Sequence, residues 1–258
     1  MEIGPGRALI ALVLVGWMGA ALAADRAMTL ETRPGVTVTS YFMPREGASA
    51  TLVLLTGGNG NIGLTGDVPT AQNFLVRSRD LFAAAGFNVF IMGRPKDRPD
   101  LDPAFRIGAA HVEDLRQVVA HLRREGGLPV WLVGTSRGTI SAAAGAIALG
   151  DQIAGIVLTS SVTGFKVPGA VPSQNLAAIR VPVLVMHHEE DGCRMCNPHE
   201  LGGIMDGLTA APVKKRLLVR GGEGARGDPC EALHWHGYVG MEAEAVARIT
   251  DWIKQPSD

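Results

Sequence analysis

The chain has 258 residues, 47% of them hydrophobic and 19% charged, with a formal net charge of −1. That is enough apolar chain for one large domain with a full core. The balanced charge, without a long basic run, argues against nucleic acid or an anionic membrane surface as a partner.

Residues 1–23 read as a targeting leader. Arg7 precedes an apolar run from Ala8 to about Ala20, and Ala21-Leu22-Ala23 forms a small-x-small cleavage site. The run is short for a spanning helix; an uncleaved N-terminal anchor is the alternative. The expectation is a mature protein of residues 24–258, periplasmic or secreted, with no stable membrane span after cleavage. In that compartment a disulfide is the default state for cysteine. Cys193, Cys196 and Cys230 allow three single pairings and leave one thiol over.

Strands are expected at 37–43 and 50–55, the second running into Thr56-Gly57-Gly58-Asn59-Gly60-Asn61. A helix over 71–85 turns Phe74, Leu75, Leu81 and Phe82 inward and stops at Gly86. A strand at 87–92 leads into a polar, proline-rich loop over 93–103. A helix over 109–124 follows, with Val112, Leu115, Val118, Val119 and Leu122 inward. Then come a strand at 130–133 and a helix after Ser136. Strands at 153–159, 181–188 and 215–220 frame a helix over 199–208, and an amphipathic helix closes the chain at Lys254. Continuous apolar strands alternating with helices predict an α/β fold, a mostly parallel sheet covered on both faces.

Within that pattern, Gly134-Thr135-Ser136-Arg137-Gly138 sets a serine at the apex of a strand-to-helix turn. Flanking glycines let strand and helix cross closely and leave the hydroxyl exposed. Asp191 follows the strand that ends at His188, and His236 precedes the last helix. All three lie beyond the carboxyl ends of strands, where sites gather in open α/β sheets. Glu189 and Glu190 compete with Asp191, but Gly192 after Asp191 permits a tight turn. His234 competes with His236. His187 and His188 read as packed, hydrogen-bonded residues, and His111 with Asp114 as a structural pair at i, i+3. The cluster of His187, His188, Asp191, Cys193, Cys196 and His199 raises zinc as a rival. The lack of a second Cys-x-x-Cys, and export, favour no metal.

With these motifs the chain resembles the α/β-hydrolases over roughly residues 35–255, in the form of an exported, lidless serine esterase. The resemblance rests on the Ser136 elbow, the strand and turn to Asp191, and His236-Gly237-Tyr238 with Gly240-x-Glu242. It implies the α/β-hydrolase fold and a catalytic triad of nucleophile Ser136, base His236 and acid Asp191. It implies oxyanion donors at the backbone N–H of Arg137 and at Gly58 or Asn59, although Thr56 stands where some lipases carry histidine. It also supports a Cys193–Cys230 bond stapling the acid loop to the base loop, with Cys196 free or paired between chains. Residues 160–179, where a lid would sit, read as a loop with at most one short helix, hence no cap domain. An uncapped site suits small or medium acyl esters, with no cofactor. Thioesterase or lactonase action stays open within that chemistry, as do a non-catalytic binding protein and a zinc or redox protein. The Arg137 guanidinium could hold a substrate carboxylate or pair with Asp80 or Glu113; a scaffold pair is expected.

Overall fold

In a computed structural model the described residues are 1–2 and 24–258. The leader expected over 1–23 lies outside them apart from its first two residues. Among the described residues no helix is long and apolar enough to cross a membrane.

The chain opens with β1 (Arg26–Arg33), β2 (Val36–Met43) and β3 (Thr51–Leu55), followed by a small hairpin of β4 (Leu64–Thr65) and β5 (Val68–Pro69). Helices α1 (Phe74–Arg77) and α2 (Arg79–Ala84) lead to β6 (Asn88–Met92), α3 (Pro103–Arg106) and α4 (Ala109–Gly126). Then come β7 (Val130–Thr135), α5 (Gly138–Leu149), β8 (Gly155–Thr159), β9 (Val183–His188), α6 (Gly202–Gly207), β10 (Lys214–Val219) and α7 (Glu242–Lys254). Eight strands make one sheet in the order β1-β2-β6-β3-β7-β8-β9-β10. The β1/β2 and β2/β6 pairs are antiparallel and the rest parallel.

Strands β3, β6, β7, β8 and β9 are buried along their whole length, because helices cover both sheet faces. Alternation along a strand sends neighbours to opposite faces. Val53 and Leu55 join Leu132 and Ile156 in a core with Leu115 and Leu122 of α4 and Ala142 and Ala146 of α5. Leu52 and Leu54 join Val133 and Leu184 in a second core with Phe74, Phe82 and Ile249 from α1, α2 and α7.

Three expectations need correction. The helix drawn over 71–85 is two short helices joined at Ser78, whose φ of −96° and ψ of 5° leave the helical register. Leu81, in the second piece, is 38% exposed rather than turned inward. The helix drawn over 199–208 is a 3₁₀ turn at Pro198–Glu200 followed by α6, which contains three glycines that weaken a longer helix. Strand β1 and helix α3 were not foreseen. Residues 160–179 form a loop with 3₁₀ turns at Val171–Ser173 and Leu176–Ala178, and among the described residues no cap domain stands over the sheet.

Candidate active site

Ser136 sits between β7 and α5 with φ of 53°. A side chain there is strained, and the surroundings hold it: the Ser136 N–H donates to the Thr159 carbonyl at 3.0 Å. Close crossing explains the flanking glycines. A Cβ on Gly138 would lie 1.9 Å from the Leu55 carbonyl oxygen, and one on Gly134 would lie 2.5 Å from the Gly138 oxygen.

Asp191 and His236 meet although 45 positions apart, with His236 Nδ1 donating to Asp191 Oδ2 at 2.8 Å. His187 Nε2–H is shared between the same carboxylate oxygen at 3.1 Å and the Cys196 carbonyl at 2.9 Å, which fixes its tautomer because both partners are acceptors. The Cys193 N–H donates to Asp191 Oδ1 at 2.9 Å. Burial pushes the Asp191 carboxyl up, but hydrogen bonds from His187 and His236 and their charges outweigh it and hold it at about 2. Asp191 is therefore a carboxylate at neutral pH. With its Nδ1 proton turned to Asp191, His236 presents a lone pair at Nε2, which is buried and has no hydrogen-bond partner.

The loop carrying His236 is braced from several sides. The Ser160 hydroxyl donates to the His236 carbonyl at 2.8 Å, and Tyr238 Oη donates to the Met186 carbonyl at 3.0 Å. Arg77 donates to the Gly237 carbonyl and pairs with Glu242 at 3.0 Å. Ser136, Ser160 and Tyr238 are the three non-glycine residues with positive φ among the described residues. All three lie at this site, where backbone strain is commonly stored. The disulfide is Cys193–Cys230, so the loops that carry Asp191 and His236 are covalently joined, and Cys196 is a buried free thiol.

Ser136 and His236 line one pocket of about 350 Å³, with Gly57, Gly58, Asn59 and Arg137 on its floor. No hydrogen bond joins the Ser136 hydroxyl to His236 Nε2; in ligand-free sites such contacts are often long and tighten on binding. The backbone N–H groups of Arg137, Gly58 and Asn59 donate to no protein acceptor among the described residues. Below this floor lies Arg106, 1% exposed. Its Nε donates to the Leu101 carbonyl at 2.8 Å, Nη1 to Ser141 Oγ at 3.0 Å and Nη2 to the Gly58 carbonyl at 3.2 Å. None of these partners is a carboxylate. Burial and the nearby Arg137 charge pull the Arg106 pKa down to about 9, which leaves it charged at neutral pH.

The sequence matches no protein-family model and no curated protein. Solved structures do match. A cold-adapted esterase from an Arctic intertidal metagenomic library is 18% identical, with a TM-score of 0.59, over 88% of this chain and 93% of that one. A dienelactone hydrolase from Anabaena variabilis is 13% identical, with a TM-score of 0.64, over 90% and 98%. A lidless α/β serine hydrolase from Xanthomonas campestris is 15% identical, with a TM-score of 0.58, over 91% and 97%. The chain has the α/β-hydrolase fold.

Within the α/β-hydrolase fold, the rivals weighed in the sequence fall elsewhere. Glu189 pairs with Arg220, Glu190 is exposed, and His234 carries no bond to Asp191. His188 Nε2 donates to the Gly221 carbonyl at 2.9 Å. His111 and Asp114 are not a pair: His111 Nε2 meets Ser141 Oγ at 2.8 Å, whereas Asp114 accepts from Thr32 at 2.5 Å and Arg33 at 2.8 Å. A strand absent from the expectation, β1, supplies both of those donors. Of the zinc cluster, Cys193 and Cys196 approach His236 with ligand atoms within 4.8 Å of one another, but the Cys193 sulfur is already bonded to Cys230. His199 is exposed. Asp80 sits beside Arg79 and Glu113 beside Arg116, so neither pairs with Arg137. Arg77, Arg106 and Ser160 carry no local motif that would have marked them in the sequence.

Proposed function

We propose that the protein is a serine hydrolase, a carboxylesterase that acts on small or medium acyl esters through an acyl-enzyme on Ser136. Ser136 Oγ attacks the ester carbonyl carbon while His236 Nε2 takes its proton. His236 then returns that proton to the leaving alcohol, and water repeats the sequence to release the acid. Asp191 holds the imidazole tautomer and stabilises the transient imidazolium. The N–H groups of Arg137 and of Gly58 or Asn59 receive the oxyanion, a contribution of about 3 kcal/mol for one donor.

The observation that carries the reading is the orphaned Nε2 of His236, buried and oriented by a 2.8 Å bond to Asp191, in the pocket that also holds the strained Ser136. The esterase and serine hydrolase among the similar structures support it, and the dienelactone hydrolase keeps lactones within the class. The absence of a cap agrees with soluble substrates of modest size. The disulfide, together with the leader-like segment, supports a periplasmic or secreted protein, residues 24–258 forming a single domain.

The test is hydrolysis of 4-nitrophenyl acetate, butyrate and octanoate by the wild type and by Ser136→Ala. The proposal requires turnover that favours the shorter chains and falls at least 10³-fold in the variant. Equal turnover by both proteins contradicts it.

A further inference from the structure

Among the described residues the Arg137 side chain is bonded to no acid. It is half-buried, it lines the pocket directly after Ser136, and it takes part in none of the ion pairs or side-chain hydrogen bonds among the described residues. Its two expected partners are engaged with other arginines. Arg106 lies close enough for the two charges to act on each other, and it is bonded to neutral acceptors only. Neither cation is hydrogen-bonded to a carboxylate, and Asp100 and Asp102 reach Arg106 only through their charge.

The negative side of the ledger is small. Asp191 is turned away onto its two histidines. The remaining acid on the lining is Glu231, an exposed rim residue in no ion pair. Elsewhere on the lining the neutral amides Asn61, Gln72 and Asn73 stand beside the apolar Ala71, Phe74, Met195 and Ala232. A pocket of this kind repels a cationic ligand at its floor and leaves the anionic one favoured there. A partly desolvated guanidinium presents a fork of donors that matches a carboxylate, and the low local dielectric strengthens the contact.

We propose that Arg137 binds a carboxylate of the substrate, so that the preferred esters are half-esters of dicarboxylic acids with the free acid a few bonds from the scissile carbonyl. The inference rests on hydrolysis at Ser136. Arg137 then acts twice, through its backbone N–H on the oxyanion and through its guanidinium on the distal acid. A bound carboxylate also sets the register of the chain, which brings the carbonyl to Ser136 in one orientation.

The experiment compares 4-nitrophenyl hydrogen glutarate with 4-nitrophenyl valerate, near-isosteres that differ in charge. The readout is the ratio of kcat/KM values, anionic over neutral, so any general loss of activity cancels. Wild type is expected to favour the half-ester at least tenfold at low salt, with the ratio falling as salt is added. Arg137→Gln is expected to bring the ratio to about one, and Arg137→Glu to below one. A wild-type ratio at or below one, with valerate hydrolysed, overturns this inference and leaves the hydrolase reading standing. A high ratio that persists in both variants also overturns it. If neither ester is turned over by wild type, both readings fall together.

Discussion

Replacing Arg106 by methionine separates a catalytic contribution from a structural one. The guanidinium holds the Gly58 carbonyl, and the N–H of the same planar peptide group, that of the pocket-lining Asn59, has no partner among the described residues. On the stability side the change removes three hydrogen bonds from a charged donor, each worth about 1.5–3 kcal/mol. It also removes a buried charge that has no carboxylate partner, whose desolvation costs several kcal/mol. The two effects oppose each other and are of like size, so net stability should change by no more than about 2 kcal/mol. On the activity side the Gly58 peptide loses its anchor. The upper limit is the loss of one oxyanion donor, about 10²–10³ in kcat. The expected result for Arg106→Met is a kcat reduced by one to three orders of magnitude on a neutral 4-nitrophenyl ester, with KM within about threefold. Affinity for a small boronic acid, which mimics the tetrahedral adduct, should fall in parallel with kcat. Urea unfolding of the same preparation supplies the stability. A kcat within threefold of wild type would refute the reasoning, and so would a fall in kcat matched by an equal rise in KM.

Four more tests rest on the same geometry. Burial, aided by the Arg106 charge, lowers the His111 pKa from 6.5 to about 3, so between those values the unfolded chain binds the proton and the folded one does not. Stability should therefore be lost as the pH is lowered from 6.5 towards 3, by at most about 1.4 kcal/mol per unit, and urea unfolding of His111→Asn should show a shallower loss. Gly138→Ala forces a Cβ to within 1.9 Å of the Leu55 carbonyl and should abolish soluble folded protein. Gly126→Ala, at the end of α4 with nothing within 4 Å, should be neutral or stabilising by up to about 1 kcal/mol; equal yields of the two would contradict the packing argument. Opening the Cys193–Cys230 bond, which spans 37 positions, should cost about 4 kcal/mol by chain entropy, read as the difference in urea unfolding between wild type and the Cys193→Ser, Cys230→Ser double variant. In the native oxidised protein Cys196 should resist thiol reagents until denaturant is added, since it is 1% exposed.

What the sequence disclosed follows the range of the interactions involved. The elbow is contiguous, so Gly134, Ser136 and Gly138 announce it together, and the fully buried parallel strands stand out as unbroken apolar runs. Asp191 and His236 could be singled out as candidates because each follows or precedes a strong element, and the structure brings them to 2.8 Å of each other. Arg106 was not, because it lies in a proline-rich stretch and its Gly58 partner is 48 positions away. Asp114 was misassigned for the same reason: its true partners, Thr32 and Arg33, are 82 and 81 positions distant and lie on β1. That strand is itself faint, an edge strand with polar, part-exposed residues and only Thr32 buried. Periodicity also runs unbroken across Ser78, so a register change made by one residue's backbone left no trace in the apolar pattern.

The central claim is that Ser136 is an activated nucleophile. Treating the folded, oxidised protein with a small fluorophosphonate and mapping the product by intact mass and peptide sequencing tests it most directly. The account predicts one adduct per chain, on Ser136, strongly suppressed in His236→Ala. Folded protein with its disulfide formed that takes up no label, or takes it up elsewhere, would contradict it.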